Sequence, residues 1–242
     1  MKNKLLFTLL FSCSLLFAQE KVVVEYEFRN EFDLSNVTDP KKVEIYKNSN
    51  DKKQYYELIT TNEESIYKKI ERIDNSQSQS KMSISFGGVG NDFYKNFKDK
   101  ISLTFMDYNG TKLIIKDSLK IQPWIIQKDK STILGYEVKK ATYKEKDSTY
   151  EAWFAPKLNI KNGPIEYAGL PGLILRLEIL SGGKMSVKRI YQATNITLDT
   201  KSKIEKPTKG KIVSQKEFED IIEKENKKYE EFENNKVETK ID

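Results

Sequence analysis

The 242-residue chain contains no histidine and a single cysteine, Cys13. Without imidazole, neither a Ser-His-Asp nor a Cys-His arrangement can operate, and the usual zinc sites lose their ligands. A lone thiol makes no intramolecular disulfide, so packing alone must hold the fold. Long apolar runs are also missing. The single candidate, Leu5 to Phe17, is too short for the roughly 20 residues of a stable membrane span. Gly87-Gly88-Val89-Gly90 lacks the following lysine and hydroxyl residue of a phosphate loop, so it reads as a plain turn. No Asp-x-Asp-x-Asp-Gly string suggests calcium, and no metal or cofactor is expected.

What is present begins with an export signal. Lys2 and Lys4, the apolar run and Ala18-Gln19 have the order of a secretory signal peptide over residues 1–18. Leu10-Phe11-Ser12-Cys13 faintly resembles a lipoprotein-processing box, but the apolar run continues past it, which argues against lipidation at Cys13. The expected destination is the periplasm or the outer membrane. Lysine and arginine exceed the acids by 42 to 36. The basic side chains are nearly all lysine and are interleaved with Asp and Glu, so they read as a solvating surface rather than a nucleic-acid face.

Alternation dominates residues 19–199. Val22, Val24, Tyr26 and Phe28 fall on one face of a strand, and Ile66 to Ile70 repeat the pattern. Further strands are expected at Val43–Tyr46, Gln54–Thr60, Met82–Phe86, Ile101–Tyr108, Lys112–Leu119, Trp124–Gln127, Ile133–Tyr143, Thr149–Phe154, Leu173–Leu180 and Met185–Leu198. Asn109-Gly110 is the strongest hairpin signal; turns are also expected at Asp129-Lys130, Lys146-Asp147 and Ser181 to Lys184. The pattern implies a mainly β fold: a single antiparallel, strongly curved, half-barrel-like sheet of about ten strands. A lysine-rich linker is expected over residues 200–213. Ser214 and Glu217 then form a capping box that opens an amphipathic helix over residues 214–234, with Phe218, Ile221, Ile222, Tyr229 and Phe232 on its apolar stripe and a frayed tail at 235–242.

The chain turns on Gly169-Leu170-Pro171-Gly172-Leu173-Ile174, reached through Gly163-Pro164. Proline pre-sets φ and the following glycine supplies φ > 0, so Leu170 to Leu173 read as a type II turn. Its flanking leucines are too apolar for a solvated tip. They serve either as a plug over the core or as a loop that a partner recognises. With Gly135-Tyr136, Ala152-Trp153-Phe154 and Gly163-Pro164 ahead of it, the hexapeptide resembles the GLPGLI family of exported bacterial envelope proteins. The resemblance covers about 75 residues, roughly Trp124 to Asp199. It departs at Val138 and at Leu158-Asn159, and it carries no activity with it.

Three functions remain open. The first is a non-enzymatic envelope protein binding an apolar or peptide ligand in a concave sheet, with Leu170, Leu173, Ile174, Trp124, Tyr136, Trp153 and Tyr167 as candidate contacts. Gly163, Pro164, Gly169, Pro171 and Gly172 are candidate structural turn residues. The second is an accessory or scaffolding partner of an outer-membrane complex. The third is a carboxylate-based hydrolase, for which no motif separates Asp33, Glu137, Glu151 or Glu166 from surface acids.

Overall fold

The computed structural model describes residues 21–72, 92–182, 186–199 and 201–238. The expected signal peptide with Cys13, the strand at Met82–Phe86, the glycines at 87–90 and the turn residues Gly183 and Lys184 lie outside the described residues, as do the side chains of Tyr229 and Phe232. The rest forms one open sheet of twelve strands and two helices, not the ten or so strands expected.

In chain order the elements are β1 (Lys21–Phe32), α1 (Pro40–Asn50), β2 (Gln54–Thr60), β3 (Glu64–Ile70), β4 (Asp92–Asn96), β5 (Ile101–Tyr108), β6 (Thr111–Ser118), β7 (Ile125–Ile133), β8 (Tyr136–Glu145), β9 (Ser148–Ala155), β10 (Leu173–Ser181), β11 (Val187–Asp199), β12 (Lys211–Ser214) and α2 (Gln215–Glu238). Across the sheet they run β12-β6-β5-β4-β3-β2-β1-β11-β10-β9-β8-β7. Two antiparallel meanders, β1 to β6 and β7 to β11, therefore meet where β1 pairs with β11. The sheet is not wholly antiparallel. β12 lies parallel to β6, because the chain after β11 crosses the sheet before pairing.

Both faces of the sheet are apolar, and alternation along β1 shows why. Val22, Val24, Tyr26 and Phe28 enter one core cluster, with Tyr56, Leu58, Tyr67, Phe154, Leu175 and Leu177. Val23 faces the other way, into a smaller cluster with Ile59, Ile66, Tyr94, Leu103 and Ile114. Ile204, from the stretch read as a linker, packs onto that second cluster. Val213 on β12 is buried too.

The expected strand at Val43–Tyr46 is instead part of α1. Asp39 caps it by accepting the Lys41 N–H at 2.9 Å, and Pro40 occupies the first turn, where its missing N–H costs nothing. α1 buries no residue; stacking of Tyr46 on Phe32 and the Phe32 N–H donating to Asn50 Oδ1 at 2.8 Å anchor it. Asp129-Lys130 is likewise no turn. It lies within β7, where the register shifts between Ile126 and Lys130. The reversal comes at Leu134-Gly135, both at positive φ (50° and 79°), the pairing a two-residue hairpin requires. Asn109-Gly110 and Lys146-Asp147 do join hairpins. At the C-terminal end, Ser214 and Glu217 exchange the bonds of a capping box, and Phe218 meets Tyr108 edge-on. α2 runs through Asn234-Asn235 to Glu238.

Candidate functional site

Residues 156–172, between β9 and β10, fold back onto the face that carries the larger cluster. Ile165, Tyr167 and Leu170 are buried there with Leu173 and Ile174. Inside a sheet a loop must satisfy its own backbone groups, and side chains supply several of the partners. The Asn162 side chain donates to Thr60 Oγ1 at 2.9 Å and accepts the Gly163 N–H at 2.8 Å. Gln122 accepts from the Ala168 N–H and the Trp124 indole donates to the Ala168 carbonyl, both at 3.0 Å. The Tyr26 hydroxyl donates to the Ile174 carbonyl at 2.5 Å.

The hexapeptide turn is tighter than the type II turn expected. The Gly172 N–H donates to the Leu170 carbonyl at 2.8 Å, a three-residue turn about Pro171, and Gly172 adopts φ +151°. Pro171 alone of the six residues is exposed. Placing a charge at Leu170, which is 1% exposed, is expected to unfold the chain. Leu170→Asp should cost several kcal/mol and lose its cooperative thermal transition, while Pro171→Ala keeps it.

Lys95 is the main surprise. It lies on β4, facing the loop, and is 1% exposed. Its ammonium nitrogen donates to the Gly163 carbonyl at 2.9 Å and the Tyr167 carbonyl at 3.2 Å. Burial pushes its pKa down to about 7, against a weaker upward pull from Glu166. A neutral amine has two N–H bonds, and two carbonyls take them.

Those two carbonyls bracket a strained turn. The Tyr167 N–H donates to the Pro164 carbonyl at 3.1 Å, and Ile165 sits at φ +52°. A β-branched residue there costs about 1–3 kcal/mol, a strain that typically marks functional sites. Its effect is to present Glu166. This residue is solvent-accessible, yet protein crowds its carboxyl group on the other sides. That crowding raises its pKa, and the nearby Lys95 and Arg189 partly offset the rise. Because the residue remains open to water, the shift reflects crowding rather than full burial.

Glu166 is within electrostatic reach of Tyr67, Tyr143, Tyr167 and Tyr191. Tyr143 stacks on Tyr150 with ring centroids 4.2 Å apart, and Tyr150 lies 5.8 Å from Tyr167. Trp124 meets Tyr143 edge-on at 4.7 Å. The cluster thus combines one accessible carboxylate, one arginine, one buried amine and aromatic hydroxyls. It can hold a polar molecule through hydrogen bonds or move a proton at Glu166. Among the described residues no group of three or more Asp, Glu, Cys or His could hold a metal ion.

Of the residues singled out from the sequence, Tyr167 and Trp124 belong to this cluster. Leu170, Leu173 and Ile174 lie beneath it in the core, and Tyr136 packs partly buried against that core. Trp153 alternates with Ala152 and Phe154. Its ring is partly buried against that core, its indole donates to Glu151 at 2.8 Å, and Lys140 lies 5.7 Å above it. Gly163 and Gly169 are tightly packed, each with a side chain of Ile174 or Ile121 where a Cβ would go. Sequence reasoning missed Lys95, Tyr67 and Arg189 and left Glu166 among the surface acids. The one available signal was Ile165-Glu166 between Gly163-Pro164 and the hexapeptide. A cavity of about 600 Å³ lies on the opposite face under residues 202–209, lined by Ile66, Lys68, Asp92 and Phe105. Its Lys68 pairs with Glu57, also in the lining, at 3.4 Å, and we place the candidate site at Glu166.

The family model described as "N-glycanase peptide, N-terminal domain" matches residues 92–220, more than half of the chain. A solved structure of PNGF-II (P21 crystal form) is similar at a TM-score of 0.54 and 20% identity, covering 84% of this chain and 33% of that one. A second PNGF-II structure (C2 form) gives 0.49 and 21%, over 81% and 31%. The chain therefore spans about a third of the length of PNGF-II, and at such identity the likeness concerns the fold. A LolA superfamily protein, NE2245 from Nitrosomonas europaea, covers 79% of this chain and 89% of its own at TM-score 0.31 and 11% identity, too distant to carry an argument. Among curated proteins none matches.

These findings overturn two expectations. The GLPGLI resemblance is not upheld; the hexapeptide is a buried turn within a region that matches the N-glycanase model. The non-enzymatic, apolar- or peptide-ligand function and the description as an uncharacterised ligand-binding envelope protein fall with it. They rested on the absence of imidazole and thiol, which by itself excludes no carboxylate chemistry.

Proposed function

Since this chain belongs to the family described as the N-glycanase peptide N-terminal domain, we propose that it serves an N-glycanase-related function. It acts in the removal of N-linked glycans from glycoproteins, with Glu166 as the carboxylate of its site. The observation that carries this reading is the match over residues 92–220, which contains Lys95, Glu166, Tyr167 and Arg189. The accessible, crowded carboxyl group of Glu166 supports it, because a raised pKa suits proton transfer near neutrality.

The sheet on this reading bends around the loop, half-barrel fashion. Side chains from β1, β3, β8 and β11 then reach the same insert, which a flat sheet would not allow. Residues 19–199 act as one unit, residues 200–213 strap its second face, and the C-terminal helix closes the β12 edge. The N-terminal segment directs export, so its glycoprotein substrates are met outside the cytoplasm, at the periplasm or outer membrane. Among the described residues no helix is long and apolar enough to cross a membrane, which says nothing of β-barrels.

Incubating the purified chain with an N-glycosylated protein and measuring released glycan by mass spectrometry tests the reading. Release that falls at least tenfold in Glu166→Gln, with the thermal transition unchanged, is the expected result. No release from native or denatured glycoprotein overturns it.

A further inference from the structure

The chain between β11 and β12 crosses seven strand intervals on the second face, roughly 34 Å along the sheet. Between Asp199 and Lys211 it has a reach of only about 40 Å at full extension, so this strap is close to taut. Protein contacts pin it from beneath. Asp199 accepts the Lys201 N–H at 2.6 Å and the Ser202 N–H at 3.0 Å, Ile204 packs on the second cluster, and Pro207 lines the cavity below.

Its side chains sort by charge. Ser202, Ile204 and Pro207 are half-buried, and none is charged. Lys201, Lys203, Lys206 and Lys209 are exposed, Lys211 continues the series on β12, and a single acid, Glu205, stands among them. On the open sheet lysines have acids beside them: Lys53 meets Glu27, Lys68 meets Glu57 and Lys140 meets Glu151. The four on the strap form no ion pair among the described residues. Ile212 follows Lys211. It registers with Ile114 of the second cluster and so projects on the side of the strap, yet it is 67% exposed.

This arrangement limits the partner. Five lysines against one acid call for an anion, and lysines held apart along a taut line cannot converge on a small one. A nucleic acid is gripped best by arginine forks, and the strap has no arginine. A bilayer surface offers mobile anionic headgroups in a plane, so each ammonium group finds its own. The aliphatic lysine stems and the exposed Ile212 then reach the apolar boundary beneath the headgroups.

We propose that the strap from Lys201 to Lys211, with Ile212, docks this protein on an anionic lipid bilayer. A lysine at such a surface is worth about fivefold in affinity, so this number gives reversible, salt-sensitive binding. The strap covers the face opposite the one that carries Glu166, so a docked chain keeps its candidate site turned to the solvent. Docking holds whichever reaction Glu166 serves.

Co-sedimentation of the full chain with vesicles of about 30% phosphatidylglycerol in phosphatidylcholine, and with phosphatidylcholine alone, tests the surface. Binding to the first and not to the second is expected, falling about tenfold or more when salt rises from roughly 0.05 to 0.5 M. Combining Lys203→Gln, Lys206→Gln and Lys209→Gln should weaken it about tenfold or more, with the thermal transition unchanged because these side chains touch no acid. The same loss of charge on α1, by Lys41→Gln, Lys42→Gln and Lys47→Gln, should leave binding within about twofold, since these lysines lie outside the strap. No binding to either vesicle, equal binding to both, or a loss as large in the α1 variant as in the strap variant would each overturn the proposal. Binding of heparin without binding of anionic vesicles would overturn it too, in favour of a polymeric anion.

Discussion

Gly172→Ala is expected to abolish folding, or to cost about 3–5 kcal/mol if any native state persists. A methyl at this position would lie 2.3 Å from the Ala155 carbonyl oxygen and 2.7 Å from its carbon. Both are backbone atoms at the end of β9, which pairs with β10 immediately after the turn, so neither can move aside. Gly172 also adopts φ +151°, which side-chain-bearing residues rarely reach. The two objections compound, since relaxing φ would pull Leu173 out of register with Ala155. Urea unfolding followed by circular dichroism checks it. A variant within 1 kcal/mol of the native chain would mean that β9 and the turn can separate at little cost.

Lys95→Met is expected to flatten the pH dependence of stability above neutrality. The folded-state pKa, near 7, lies below the ordinary lysine value of 10.5. Between those values the unfolded chain binds the extra proton and the folded chain does not. Stability from this group therefore rises with pH across the window, by about 5 kcal/mol at most. Below pH 7 the full penalty of burying the charge applies; above 10.5 it is absent. Methionine fills the same volume with nothing to titrate, so the slope disappears. It also leaves the Gly163 and Tyr167 carbonyls unmet, at about 1–3 kcal/mol each. The variant should thus be clearly weaker at pH 9.5 and approach the native chain at pH 6. Parallel stability curves at pH 6, 8 and 9.5 would show that Lys95 does not change protonation there.

The strands were legible wherever period-2 alternation met turn chemistry, as at Val22 to Phe28 and at Asn109-Gly110. They were misread where a competing signal was stronger. Val43 to Tyr46 looked like a strand because the Asp39-Pro40 start went unweighed, and Asp129-Lys130 looked like a turn because the positive-φ pair Leu134-Gly135 was absorbed into a strand. The site was hardly legible at all. Lys95, Glu166 and Arg189 are separated by 71 and 23 residues, and only the strand order places β4, the loop and β11 against one another. No local pattern reveals that a lysine among dozens will be dry. The hexapeptide drew attention to the right loop for the wrong residues: its leucines pack inside, while the acid displayed just before it faces the solvent.

The seam between β1 and β11 has a kinetic consequence. Lys21 registers with Asp199, so the pair that joins the two meanders links segments 178 residues apart in the chain. Each meander can assemble from neighbouring hairpins, but their union must wait until β11 has been made. Such long-range closure makes folding slow. A polypeptide emerging from its amino end, from a ribosome or a pore, would consequently be unable to join its two halves until β11 had followed.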